Sequence, residues 1–176
     1  SVNQSLEDLT GKILTEVSKL LIKSQPDFVF VQGDTTTTFS ASLAAFYQKI
    51  PVGHIEAGLR TNDIYSPFPE EINRRMTSSI ASHHFPPTKQ AEQCLLDEGV
   101  KKEKITVTGN TVIDALLTVS RKVESDSSEY EEYFLNKCGI SFNEKKTILV
   151  TGHRRESFGD GFENICNAIK NIAENN

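Results

Sequence analysis

The chain has 176 residues, enough for one domain-sized core, and no stretch of it approaches the roughly 20 consecutive apolar residues that span a bilayer. Its net charge of −5, from 19 basic and 24 acidic residues, argues against the basic stripe of a nucleic-acid surface, although a small pocket can still take phosphate on local donors. Cys94, Cys138 and Cys166 show no CxxC spacing and no histidine at ligand spacing, so they read as isolated small hydrophobes in a reducing compartment. The opening "SVNQSLEDLTGKIL" lacks a basic region followed by an apolar core, so no secretory signal is expected and a cytoplasmic location is.

In chain order, residues 5–23 predict an amphipathic helix, with Leu6, Leu9, Ile13, Val17, Leu20 and Leu21 recurring at steps of three and four. "FVFV" (28–31) is a short apolar run of the kind found in a parallel strand covered on both faces, and Gly33 breaks it. A helix follows over 35–48, where Ala41, Ala44 and Ala45 allow close approach to a sheet. "PVGHI" (51–55) is a second strand, and a loop rich in Gly, Asn and Pro runs to 68. Residues 69–81 predict a helix with proline at its start and acids in its first turn. "SHHFPP" holds a short strand. Residues 88–99 run as a helix from a Thr cap to a Gly stop, 104–109 as a strand, and 110–123 as a helix capped by Asn110. This alternation predicts an α/β fold with a parallel sheet. Residues 124–146 turn acidic, then aromatic, then basic, with a surface helix at 128–137; a strand at 147–152 and a helix at 159–176 close the chain. One strand cannot make a second sheet, so this last unit either extends the first sheet or opens a domain that is cut short.

Ligands of an open parallel sheet gather outside the carboxyl ends of its strands. Those ends read Gln32-Gly33-Asp34, Glu56-Ala57-Gly58, Thr108-Gly109-Asn110 and Thr151-Gly152-His153, each with polar groups and a glycine. Asp34 is either the cap of the helix starting near Thr35 or part of a phosphate-cradling loop to which the following threonines add donors. Glu56 is either salt-bridged to Arg60 or a buried acid–base group, and His54 reads as a packed strand residue. Glu70 and Glu71 suit a first helical turn, with Arg74 at i+4 from Glu70; the preceding "LRTNDIYSPFPEE" has the aromatics, turn formers and charges of a substrate loop. "GHRRES" (152–157) offers donors for a diphosphate, or else a solvated basic face. No GxxxxGK[ST], GxGxxG or GxSxG occurs, and His83 and His84 lack the partners of a zinc site, so no metal is expected.

Taken together, "GDTTTT", "VGHIEAGLRT", "SPFPEEINR", "TGNTVIDAL" and "VTGHRRESFG" resemble the non-hydrolysing UDP-N-acetylglucosamine 2-epimerases, over nearly all of the chain. The resemblance implies Rossmann-like parallel sheets of the two-domain GT-B type, present here as a fragment of a protein about twice as long. Residues 1–122 would be the C-terminal portion of the first domain, 123–146 a connecting segment, and 147–176 the first strand–helix unit of the second. It implies interconversion of UDP-GlcNAc and UDP-ManNAc by removal of the C2 proton, elimination of UDP and re-addition. Asp34, Glu56 and Glu70 would be the catalytic carboxylates, with Arg74 at the substrate and orienting Glu70, and His153 contacting the nucleotide. Arg154 would meet a second UDP-GlcNAc bound as activator. It further implies a homodimer and no metal or redox cofactor. A UDP-sugar glycosyltransferase, a non-catalytic UDP-sugar-binding module and the hydrolysing epimerases are the rival readings. Gln32, where many relatives carry histidine, is a small departure.

Overall fold

A computed structural model describes residues 4–142, 147–151 and 159–175. Helix α1 (Leu6–Ser24) starts on Ser5, whose hydroxyl accepts the Asp8 N–H at 3.1 Å, and stops at Gln25 in the left-handed region. Strand β1 (Val29–Gln32), helix α2 (Thr36–Tyr47), strand β2 (Val52–Ile55), helix α3 (Glu70–Ile80), strand β3 (His83–Phe85) and helix α4 (Lys89–Asp97) then alternate. The three strands pair in parallel in the order β1-β2-β3, with Val31 opposite His54 and His54 opposite His84. The α/β class and its parallel sheet are therefore as the sequence pattern predicts. Helices α5 (Thr111–Ser125), α6 (Ser127–Cys138) and α7 (Asp160–Asn175) complete the described elements. The capping expectations hold too: Thr88 accepts the Ala91 N–H, and the Asn110 side chain accepts the Val112 N–H.

The chain divides into two compact units, residues 1–116 and 117–176. In the first, Val31 and Val52 bury one sheet face against Leu21 of α1 and against Ala44 and Ala45 of α2, whose lack of bulk brings that helix onto the strands. A second cluster packs Leu95 of α4 against Ala57 and Ile105. Gly58 marks where α4 crosses closest: a Cβ there would lie 2.2 Å from the Ala91 carbonyl oxygen, and its φ of +85° favours glycine.

Four expectations change. Among the described residues, strand β1 is covered on one face only. Phe28 and Phe30 lie with Phe85 and His83 on the other face of the sheet, ring centroids 4.9–6.0 Å apart, and Phe30 is largely exposed. Successive strand residues point to opposite faces, so an unbroken apolar run fills both whether or not both are covered. The strand expected at 104–109 is reduced to one bridge, His84 to Ile105, with the Thr106 and Thr108 N–H groups bonded to the His84 and Pro86 carbonyls; a turn of 3-10 helix at Lys102–Lys104 takes its first residue. Residues 147–151 of the second unit form no strand, and Ile148, Leu149 and Val150 are exposed. An apolar run becomes a strand only where a ladder of backbone pairing forms, and this run is in none of the described strands. The cysteines are free, but Cys138 and Cys166 are exposed rather than packed as hydrophobes. Among the described residues no helix is long and apolar enough to cross a membrane.

Candidate active site

The carboxyl ends of β1 and β2 meet α3 in one constellation of acids, one guanidinium and one buried imidazole. At the end of β1, Gly33 turns the chain with φ +73°. Asp34 is not the cap of α2. Thr35 takes that role, its hydroxyl accepting the Thr38 N–H at 3.3 Å, while Thr38 donates back to the Gln32 carbonyl at 2.6 Å. Two of the four threonines thus serve the turn itself, and the Asp34 carboxylate is released toward α3. There its Oδ2 lies 2.9 Å from Arg74 Nη2, and its main-chain carbonyl accepts Asn73 Nδ2 at 3.0 Å.

The loop is pinned from the sheet side by His54, which is fully buried and lies 2.8 Å through Nε2 from the Gly33 carbonyl. A carbonyl only accepts, so the proton sits on Nε2 and Nδ1 is bare, buried and without a hydrogen-bond partner. Burial pushes its pKa down to about 4, against the help of that bond. His84 beside it is likewise buried and pushed down to about 4, by burial first and by its cationic neighbours second. Both imidazoles are neutral. The expectation of His54 as a packed strand residue is met.

Glu56 follows β2 with φ +64°, a strained position for a side-chain-bearing residue. Its N–H donates to the Phe85 carbonyl at 3.0 Å, which holds it there. Its Oε2 lies 3.8 Å from where a Cβ on Gly33 would stand, so this carboxylate abuts the β1 turn. Arg60 does not neutralise it. Arg60 forks onto both oxygens of Glu98 at 2.7 Å each and donates to Ser78 at 3.0 Å. Among the described residues no hydrogen bond or ion pair engages the half-buried Glu56 carboxylate.

Glu70 opens α3, half-buried, and its charge reaches Asp34. Burial pushes the Asp34 carboxyl above its ordinary value; Arg74 opposes this, and the negative charges of Glu70 and Glu71 add to it. Asp34 and Glu56 at strand ends and Glu70 at the start of α3 therefore border one rim. Arg74 departs from expectation: it pairs with Asp34 and, at 3.6 Å, with Glu71, and among the described residues no ion pair joins it to Glu70. The i,i+4 pair of this helix is Glu71 with Arg75, one residue along. Sequence reasoning missed Glu71, Asn73 and the Thr61 N–H that Glu71 accepts; the signal for Glu71 was its i+3 and i+4 spacing to two arginines. Gln32 reaches Thr111 at the start of α5, 3.3 Å away. Arg74 also lines a cavity of about 280 Å³ with Gly58, Arg60, Thr88 and Cys94, which none of the three rim acids lines. His153 and Arg154 lie outside the described residues.

The profile of the UDP-N-acetylglucosamine 2-epimerase family matches residues 1–176. The chain is 55 % identical over 170 residues to the UDP-N-acetylglucosamine 2-epimerase of Escherichia coli (strain K12), covering 97 % of this chain and 45 % of that protein. The crystal structure of the UDP-GlcNAc 2-epimerase from Neisseria meningitidis bound to UDP-GlcNAc superposes with a TM-score of 0.90 at 49 % identity, covering 99 % of this chain and 46 % of that one. The Methanocaldococcus jannaschii UDP-GlcNAc 2-epimerase, in complex with UDP-GlcNAc and UDP, gives a TM-score of 0.75 at 38 % identity, with 98 % and 45 % covered. The chain spans a little under half the length of these relatives.

Proposed function

Because the chain belongs to the UDP-N-acetylglucosamine 2-epimerase family, we propose that it carries the acid–base rim of an enzyme that interconverts UDP-GlcNAc and UDP-ManNAc without net hydrolysis. The observation that supports this is the grouping of Asp34, Glu56 and Glu70 at the carboxyl edge of a parallel sheet, two of them on turns with left-handed backbone and one with a raised pKa. A rim carboxylate removes the proton from C2. The electron pair of that C–H bond becomes the C1=C2 double bond, and the C1–O bond breaks with its pair leaving on UDP. The resulting 2-acetamidoglucal takes UDP back at C1 while C2 receives a proton on its other face. Both half-reactions need groups that gain and release protons near neutrality. Burial lifts the Asp34 carboxyl above its ordinary value, in the direction such a group needs, and Arg74 holds it in place.

In the same proposal residues 1–122 close the first Rossmann-like domain of a GT-B architecture, 123–146 connect, and 147–176 begin the second. His153 contacts the nucleotide, Arg74 orders the substrate side of the rim, and Arg154 binds a second UDP-GlcNAc as activator. The enzyme acts in the cytoplasm as a homodimer. The rim supplies acids rather than spare cations, since Arg74 is already shared between Asp34 and Glu71. The diphosphate therefore draws its cations from elsewhere in the protein.

The test is deuterium incorporation at C2 of UDP-GlcNAc in heavy water, followed by NMR with the full gene product. Incorporation with UDP-ManNAc appearing is expected. Free ManNAc would move the assignment to the hydrolysing branch. Absence of exchange, with UDP-GlcNAc still bound, would leave a sugar-binding module or a transferase, neither of which has reason to remove that proton.

A further inference from the structure

We propose that Glu71 is a positioning residue for this reaction: its buried carboxylate divides Arg74 between itself and Asp34, and through the Thr61 N–H it anchors the loop leading into α3. The proposal rests on the reading of Asp34 as a carboxylate of the reaction. Glu71 is the most deeply buried acid of α3, with no exposed surface, and it is fully engaged. Its Oε1 accepts Arg75 Nε at 2.9 Å; its Oε2 accepts the Thr61 N–H at 3.1 Å and lies 3.6 Å from Arg74 Nε. That last distance is an ion contact and too long for a hydrogen bond; among the described residues the buried Arg74 Nε has no hydrogen-bond partner. The short contact of the same guanidinium, 2.9 Å, goes to Asp34. Arg74 is thus tilted toward the rim acid and restrained from behind by Glu71.

Arg75 completes the device. It gives Glu71 a second cation and reaches Asn62 Oδ1 at 3.3 Å, so Glu71 is satisfied without drawing Arg74 fully inward. The charged groups facing Asp34 are Arg74, Glu70 and Glu71 from α3, with Glu56 and the neutral His54 against the neighbouring Gly33; those facing Glu71 are Arg74, Arg75, Asp34 and Glu98. Burial works against the Glu71 charge, but Arg75, Thr61 and Arg74 outweigh it and hold the carboxyl below its ordinary value, so Glu71 is an anion throughout the working range. Two substitutions should therefore push Asp34 in opposite directions. Removing the Glu71 charge hands Arg74 to Asp34. Removing the Arg75 cation lets Glu71 pull Arg74 away.

The experiment is a ¹³C NMR titration of the Asp34 side-chain carboxyl in the full gene product, with C2 exchange rates measured beside it, for wild type, Glu71→Gln and Arg75→Met. Expected are a titration moved to lower pH in Glu71→Gln and to higher pH in Arg75→Met, kcat reduced about 10- to 100-fold, and KM within about threefold. Loss of the Glu71 charge alone lowers the Asp34 titration through space, so the deciding readouts are Arg75→Met and kcat: an Asp34 titration unmoved in folded Arg75→Met, or an unchanged kcat in both folded variants, overturns the proposal. If Glu71→Gln fails to fold, Arg75→Met, whose side chain is one-third exposed, decides alone by the same upward shift or its absence. A wild type without C2 exchange would remove the epimerase reading, while opposite shifts in the variants would still establish the hold of Glu71 on Arg74, so the two failures are distinguishable.

Discussion

The acids at the carboxyl edge of the sheet and Glu92 and Glu98 at α4 live under opposite electrostatic conditions. At α4 both are matched. Glu98 is forked by Arg60, and Glu92 is bracketed by Lys89 and Lys102. At the strand ends the matching stops. Asp34 shares one guanidinium with Glu71, and Glu56 stands in left-handed backbone with no described partner. The same helix, α3, faces both regions, so a supply of arginines is not what separates them. The difference shows where folding stability was optimised and where it was yielded to chemistry, because an acid already satisfied by arginine has little reason to exchange a proton with a substrate.

The sharpest way to break this contrast is Glu56→Gln. It should reduce C2 exchange about 10³-fold while leaving the melting temperature unchanged or slightly raised, since no described interaction is lost and a strained anion is neutralised. Measured by NMR exchange and thermal melts, a variant that melts early yet still exchanges would place Glu56 with the structural acids.

The second test addresses the imidazoles beneath the rim. His54 and His84 titrate at about 4 in the fold against an ordinary value of 6.5, so the unfolded chain takes up protons first. Stability is full above pH 6.5 and falls as pH drops toward 4, by on the order of 3 kcal/mol for each site fully titrated. Asp34, pushed upward, works weakly in the other direction over the same window. Urea midpoints from pH 7.5 to 4 should trace this loss, and His84→Leu should flatten part of it; a flat profile in the unaltered protein would mean that water reaches these rings.

The smallest effect is expected on the matched side. Glu98→Gln weakens the fork to Arg60, but Glu98 is 39 % exposed, so screening limits the loss to about 1 kcal/mol in chemical denaturation. C2 exchange should be untouched. Impaired exchange at unchanged stability would join Arg60 to the rim and erase the division between the two regions.

Local patterning alone determined the alternation of helices and strands, the parallel sheet, the caps at Thr88 and Asn110, the strand-end positions of Asp34 and Glu56, and the helix-start position of Glu70. Each of these follows from apolar periodicity, turn chemistry and strand polarity, which are properties of neighbours in the chain. Tertiary structure decided the rest. It gave the α2 cap to Thr35 and so freed Asp34. It turned Arg74 toward Asp34 and made Glu71 rather than Glu70 the partner of an arginine four residues on. Among the described residues it left the aromatic face of β1 open and residues 147–151 outside any strand. Which of two adjacent glutamates points inward, and whether a strand finds a partner, depend on what packs against them from distant parts of the chain, and residue spacing does not encode that.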